Sequence, residues 1–283
     1  MSHPPEPIRI TDIRDPRVWP YADLRDSKLR EAERRGERPV FIAESEMVVR
    51  QLIEQGLSLT SVLVAPAQYE RLAPVLPPGV TVYLAEPEVF REIVGFNYHR
   101  GVMACVQRPR DLTVAEVLER SSWLIVLEGL ASQDNVGAIF RNAAGILGPG
   151  AGVILSPACC DPLYRKSVRV SSGHVTRVPF ARSSAWLEDL ARIRAAGFTL
   201  AGMTPRPGAR VLREVPRPSK PAVLLGAEEP GLTEEALAAS DLWVRVPMAS
   251  GVDSLNVAVA GAIVFHQWGP ARGGPARGGP VPS

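Results

Sequence analysis

The feature that most limits what this chain can fold into is a set of five short apolar runs from residue 123 onward, at residues 123–127, 152–155, 198–203, 222–225 and 242–246. A strand with one wet face alternates apolar and polar residues, whereas a strand covered on both faces reads as a nearly unbroken apolar run. Trp123-Leu124-Ile125-Val126-Leu127 is of the second kind. Runs like this, separated by stretches long enough for a helix, imply repeated βα units and a mainly parallel sheet with helices on both faces. Residues 123–268 are therefore predicted to form an α/β domain with a mainly parallel sheet.

The first half carries a smaller set of the same units. Val40-Phe41-Ile42-Ala43 and Ser61-Val62-Leu63-Val64 read as strands around an amphipathic helix at 45–55 that stops at Gly56. A strand at 80–84, a helix at 86–94 and a strand at 101–107 complete a second α/β domain over residues 25–108. The Pro-containing break Arg108-Pro109-Arg110-Asp111 predicts a linker over 109–122. Residues 1–24 read as a polar leader, and the charged stretch at 25–38 as a solvated helix face. The tail at 269–283 repeats Ala-Arg-Gly-Gly-Pro from Ala271 and Ala276, a composition that cannot build a core and predicts disorder.

Composition excludes several classes. No stretch approaches the roughly 18 apolar residues of a membrane span, and no basic-then-apolar leader opens the chain, so a cytoplasmic protein without a membrane segment is expected. Three cysteines, two of them the adjacent Cys159-Cys160, make neither a disulfide framework nor a spaced zinc set, so free thiols and no metal are expected. The net charge of +2 leaves the partner open, because a nucleic-acid binder can carry a local basic patch on a balanced whole.

Three segments break this structural economy, each at the carboxyl end of a predicted buried strand, where open α/β sheets place ligands. In the first, 127–141, a polar loop runs into a helix that is expected to begin near Asn135 with Asn135 as its cap. Arg141 lies on a later turn among Ala138, Ile139, Phe140, Ala143 and Ala144, neighbours that would bury it and leave it needing an anionic partner. In the second, 224–235, Gly226 and Gly231 allow close backbone approach and a sharp turn before a helix capped by Thr233. In the third, 246–262, a small-residue loop follows Val246 and a helix opens at Ser254 or Asn256. Capping accounts for Ser254 but does not require an asparagine just inside so apolar a helix.

Asn135-x-Gly137-x-x-x-Arg141, Gly226-x-Glu228-x-x-Gly231-Leu232, and Val246-Pro247-Met248 followed by Ser254-Leu255-Asn256-Val257 resemble, in order and spacing, the three signature motifs of the SpoU/TrmH RNA 2′-O-ribose methyltransferases of the SPOUT class. The resemblance is close over 123–268 and looser over 25–108, which is similar to the RNA substrate-binding domain of many members. Ser45 stands after Glu44 where members usually have glycine, which bears on the RNA contact there, and Ala258 replaces a common serine.

The resemblance implies a SPOUT trefoil-knot domain whose knotted loops, 226–231 and 246–255, hold S-adenosylmethionine. It assigns Gly226, Val246 and Leu255 to the cofactor first, with Gly231 in the same turn and Met248 and Met203 as apolar walls around the adenine. It implies a catalytic set of Arg141, Asn135, Glu228, Ser254 and Asn256. Arginine stays protonated in proteins, so Arg141 is expected to stabilise charge and position phosphate or ribose rather than act as a base. Homodimers with composite active sites are also implied, the apolar helix at 256–268 being a plausible contact.

Three other readings compete. Gly148-Pro149-Gly150-Ala151-Gly152 has a dinucleotide-like form, but it follows a helix and precedes a strand, so it reads as a helix stop. Ser171, Ser172 and His174 lack the elbow of a serine hydrolase. The remaining rival is a catalytically silent RNA-binding protein that keeps the scaffold, against which the retention of all five candidate catalytic residues argues.

Overall fold

The computed structural model describes residues 6–22, 40–95, 100–252 and 254–270. The charged stretch at 25–38 and the repeats from Ala271 onward lie outside the described residues.

The N-terminal unit is built on a five-stranded sheet. Its elements are β1 (Ile8–Ile10), α1 (Trp19–Ala22), β2 (Val40–Glu44), α2 (Glu46–Glu54), β3 (Leu59–Val64), α3 (Pro66–Leu72), β4 (Thr81–Ala85), α4 (Pro87–Val94) and β5 (Val102–Gln107). The order is β1-β4-β3-β5-β2, with β1, β4 and β3 parallel and β5 antiparallel to both of its neighbours. The first of these strands lies in the segment expected to be a leader. β1 pairs with β4, Ile10, Val18 and Tyr21 are buried, and the Tyr21 hydroxyl is 2.7 Å from that of Ser61. Three isolated anchors in a polar, Pro-containing stretch make no periodic pattern, yet they are enough to dock it.

The C-terminal unit comprises α5 (Val114–Arg120), β6 (Trp123–Glu128), α6 (Gln133–Asn142), β7 (Ala151–Leu155), α7 (Arg165–Val170), β8 (Phe180–Arg182), α8 (Trp186–Ala195), β9 (Thr199–Met203), β10 (Arg210–Val211), β11 (Pro221–Gly226), α9 (Glu234–Ala239), β12 (Leu242–Arg245) and α10 (Val257–Trp268). Its seven strands run β10-β12-β9-β11-β6-β7-β8, every neighbouring pair parallel. The predicted parallel α/β sheet is present. The edge strands β8 and β10 escape prediction because three and two residues are too few to show a pattern.

The segment expected as a linker holds helix α5. A capping box fixes its start: the Thr113 hydroxyl accepts from Glu116 N at 3.2 Å, and Glu116 Oε2 accepts from Thr113 N at 2.9 Å. Val117 is buried with Leu124, Val126 and Ile154, so the helix belongs to the layer over the C-terminal sheet.

One core runs through both units, joining Phe41, Val48 and Leu52 to Val168 and Val175. The seam is also polar. Glu44, fully buried at the end of β2, forms ion pairs with Arg165 and Arg169 on α7, the latter at 3.1 Å. A buried carboxylate is tolerated only when paired in this way. Arg108 pairs with Asp161 at 2.8 Å across the same seam. Ser45, next to Glu44, has φ 80°, a backbone region that glycine enters without strain, and its side chain caps α2. That geometry accounts for the glycine usual there, and at 7% exposure Ser45 serves the chain turn rather than an RNA surface. Cys105, Cys159 and Cys160 are free, and burial pushes the Cys160 thiol up to about 12.

Candidate active site

Because the seven strands are parallel, their carboxyl ends share one edge, and β9, β11 and β12 open there into a cleft of about 400 Å³. That size lies in the range of small-molecule sites. All six candidate cofactor residues line it: Gly226, Val246, Leu255, Met248, Gly231 and Met203. Glu228 and Ser254 line it as well. The floor is Leu225 and Val257, and the polar rim includes Thr204 and Arg206, the latter held by Glu234 at 2.6 Å.

Glycine at 226 is a steric requirement. A Cβ there would lie 2.5 Å from the Gly231 carbonyl carbon and 2.6 Å from Leu232 N, because the loop folds back on the strand end. Gly231 makes that fold with φ 86°. The loop is anchored from below by Glu128, the last residue of β6. Its carboxylate accepts from Trp186 Nε1 at 2.8 Å, Thr233 N at 2.9 Å and the Thr233 hydroxyl at 2.9 Å. Sequence reasoning gave Glu128 no role. The only available signal is an acid closing an otherwise apolar strand.

The polar residues of the three segments meet at the cleft rim. Glu228 Oε1 accepts from Asn135 Nδ2 at 3.0 Å and from Asn256 Nδ2 at 3.3 Å, and Asn256 Nδ2 also donates to Asn135 Oδ1 at 2.9 Å. Two expectations change here. Ser132, not Asn135, caps α6, and Asn135 sits buried inside the first turn with its amide turned to Glu228. Asn256, not Ser254, caps α10, its Oδ1 accepting from Ala258 N at 2.9 Å and Val259 N at 3.3 Å. Asn256 therefore does two jobs, which explains an asparagine where a serine would serve as a cap alone.

Arg141 is the main correction. It was expected to be buried; it is exposed, in the last turn of α6, with no hydrogen bond or ion pair to another described residue. The helix turns Ile139, Phe140 and Ala143 into the core and leaves Arg141 on the outer side. It does not line the cleft of its own chain. Six residues separate it from Asn135, or about 9 Å of helix. Beside α6 packs α10, whose Val259 and Ile263 are 50% and 36% exposed while Val257, Val264 and Phe265 are buried.

Comparison with known proteins places these features in context. Residues 122–266 match the model of the SpoU rRNA Methylase family. An uncharacterized tRNA/rRNA methyltransferase of Mycobacterium tuberculosis is 37% identical over 271 residues, 93% of each chain. The 23S rRNA (guanosine-2′-O-)-methyltransferase RlmB of Acinetobacter baylyi is 27% identical, covering 68% of this chain and 79% of its own. An AdoMet-bound rRNA methyltransferase from Sinorhizobium meliloti superposes with a TM-score of 0.77 at 26% identity, covering 92% of this chain and 96% of its own.

Proposed function

Because the chain belongs to the SpoU rRNA methylase family, we propose that it transfers a methyl group from S-adenosylmethionine to a ribose 2′-hydroxyl of ribosomal or transfer RNA. The observation that carries this reading is the convergence of Asn135, Glu228 and Asn256, one from each segment, on the rim of a cleft into which the glycine-shaped turn at 226–231 opens.

The cleft suits the cofactor. Met203, Met248, Val246 and Leu255 offer apolar walls for an adenine, and the backbone of the turns at Gly226 and Gly231 offers donors and acceptors. When bound, S-adenosylmethionine supplies an electrophilic methyl group on a sulfonium. The protein's task is then alignment, which supplies much of the acceleration in such a transfer. The amide–carboxylate network fixes the rim, and Ser254 stands at the mouth to orient the ribose. Arg141 stabilises the negative charge that develops as the hydroxyl loses its proton.

An arginine outside its own cleft and an apolar strip at Val259 and Ile263 favour a homodimer in which each Arg141 serves the partner's cleft. We assign the N-terminal unit to RNA binding and the trefoil knot to the loops 226–231 and 246–255. No helix among the described residues is long and apolar enough to cross a membrane, and we place the protein in the cytoplasm, where its RNA would be.

The test is turnover. Purified protein with methyl-labelled S-adenosylmethionine and RNA from cells lacking this protein is expected to label RNA over many cycles. Cofactor and RNA binding without any label transfer would favour the silent RNA-binding scaffold instead.

A further inference from the structure

We propose that Arg141, His174 and Arg177 form a binding site for the phosphodiester backbone of the substrate RNA, set at the seam between the N-terminal and C-terminal units, with His174 reading the adjoining ribose hydroxyl. This deepens the methyltransferase reading and rests on it.

The geometry begins with a short helical turn, His174–Arg177, which packs against α6 and follows Gly173, seated against α2. Gln55 Nε2 donates to the Gly173 carbonyl at 3.2 Å, and the Thr176 hydroxyl donates to Gln55 Oε1 at 2.7 Å, so the turn is tied to the N-terminal unit. On its other side it packs against α6, the helix that carries Asn135 to the cleft rim and Arg141 to its outer end. A strand of RNA held by the N-terminal unit therefore meets this turn on its way to Arg141.

Charge marks the place. Arg165 and Arg169 are paired with Glu44, and Lys166 with Asp134 at 2.5 Å. Arg141 and Arg177 are both exposed and have no carboxylate partner among the described residues. The charges of both act on the His174 ring. Partial burial, then the charges of Arg177 and Arg141, hold its pKa below the ordinary value, so near neutral pH the ring is uncharged and offers one donor and one acceptor.

The ring is also incompletely satisfied. His174 Nδ1 is buried without a hydrogen-bond partner among the described residues, and so is Gln51 Nε2. Gln51 Cγ lies 3.4 Å from where a Cβ on Gly173, the residue before His174, would stand. A phosphodiester suits the groups that face solvent here: its oxygens match two guanidinium forks, and the neighbouring 2′-hydroxyl, donor and acceptor at once, matches the uncharged imidazole.

The test uses the full chain and RNA purified from cells lacking the protein, with filter binding and KM for RNA measured across salt concentrations, beside S-adenosylmethionine affinity. Arg177→Ala is expected to weaken RNA binding about tenfold, the loss expected for one charge-assisted contact. The slope of log affinity against log salt should shrink by about 0.7, as for one lost phosphate contact on a single strand. His174→Ala should raise KM several-fold and His174→Asn should largely restore it, whereas a ring needed only for packing would not be rescued by an amide. Arg213→Ala, an exposed arginine beside β10 at the other edge of the sheet, is the control for charge loss alone and should change neither quantity.

Binding and salt slope within twofold of wild type in both Arg177→Ala and His174→Ala would overturn the site. A wild-type protein that binds RNA through these residues but never methylates it would instead overturn the methyltransferase reading and leave the site standing.

Discussion

Arg141→Ala is expected to reduce methyl transfer about a thousandfold, the upper end of what removing one preorganised charge-stabilising donor costs, while S-adenosylmethionine affinity stays within a factor of two. The separation follows from position. Arg141 is exposed at the outer end of α6, makes no side-chain hydrogen bond or ion pair with another described residue and does not line its own cleft. Removing it should therefore leave the fold and the cofactor walls untouched. What is lost is the one unpaired guanidinium on the helix that delivers Asn135 to the site. Arg141→Lys should recover only part of the rate, because an ammonium keeps the charge but not the planar fork that grips two oxygens. Turnover within threefold of wild type in Arg141→Ala would remove this residue from the reaction.

Gly226→Ala should act on the other half of the chemistry. A Cβ at 226 would lie 2.5 Å and 2.6 Å from backbone atoms of Gly231 and Leu232, neither of which can swing away as a flexible side chain can. The loop has to retreat, and with it the backbone groups that face the cleft. Overpacking of this kind costs about 1–3 kcal/mol in stability, which a chain of this size survives. Cofactor affinity is expected to fall by about a hundredfold or more, the equivalent of about 3 kcal/mol or more. Gly145→Ala is the matched control, since nothing lies within 4 Å of the added carbon. Calorimetric titration with S-adenosylmethionine separates the two variants, and equal affinities would show that the close approach at Gly226 is irrelevant to the ligand.

What could be read from the sequence, and what could not, follows from the range of the interactions. The buried strands were legible because a parallel strand covered on both faces admits little but apolar residues, as Trp123-Leu124-Ile125-Val126-Leu127 shows. The close turn at Gly226 and Gly231 was legible because only glycine fits it. The capping residues were harder. Ser132 and Asn135 both suit a helix start, and what turns Asn135 inward is Glu228, 93 residues away. Arg141 was misjudged because its apolar neighbours occupy the opposite side of the helix, which a one-dimensional window merges with its own. Glu44 gave no warning that it closes the seam, since Arg165 and Arg169 lie 121 and 125 residues further on. Short edge strands, and a helix hidden in a Pro-containing link, left too few residues to display a period.

The cofactor cleft depends on steric facts local to strand ends, and its six candidate residues come together in one chain. The candidate catalytic set is divided: Asn135, Glu228 and Asn256 form one network, Ser254 stands at the mouth, and Arg141 is set apart on the outer side of α6.

Where the methyl group lands is the most direct measurement of the central claim. RNA labelled in vitro by the purified protein, digested to nucleosides and resolved by mass spectrometry, should carry the added 14 mass units on the ribose rather than the base, and the adjoining phosphodiester should resist alkali because its 2′-oxygen is capped. Label found on a base, or a labelled RNA that alkali cleaves completely, would contradict the account.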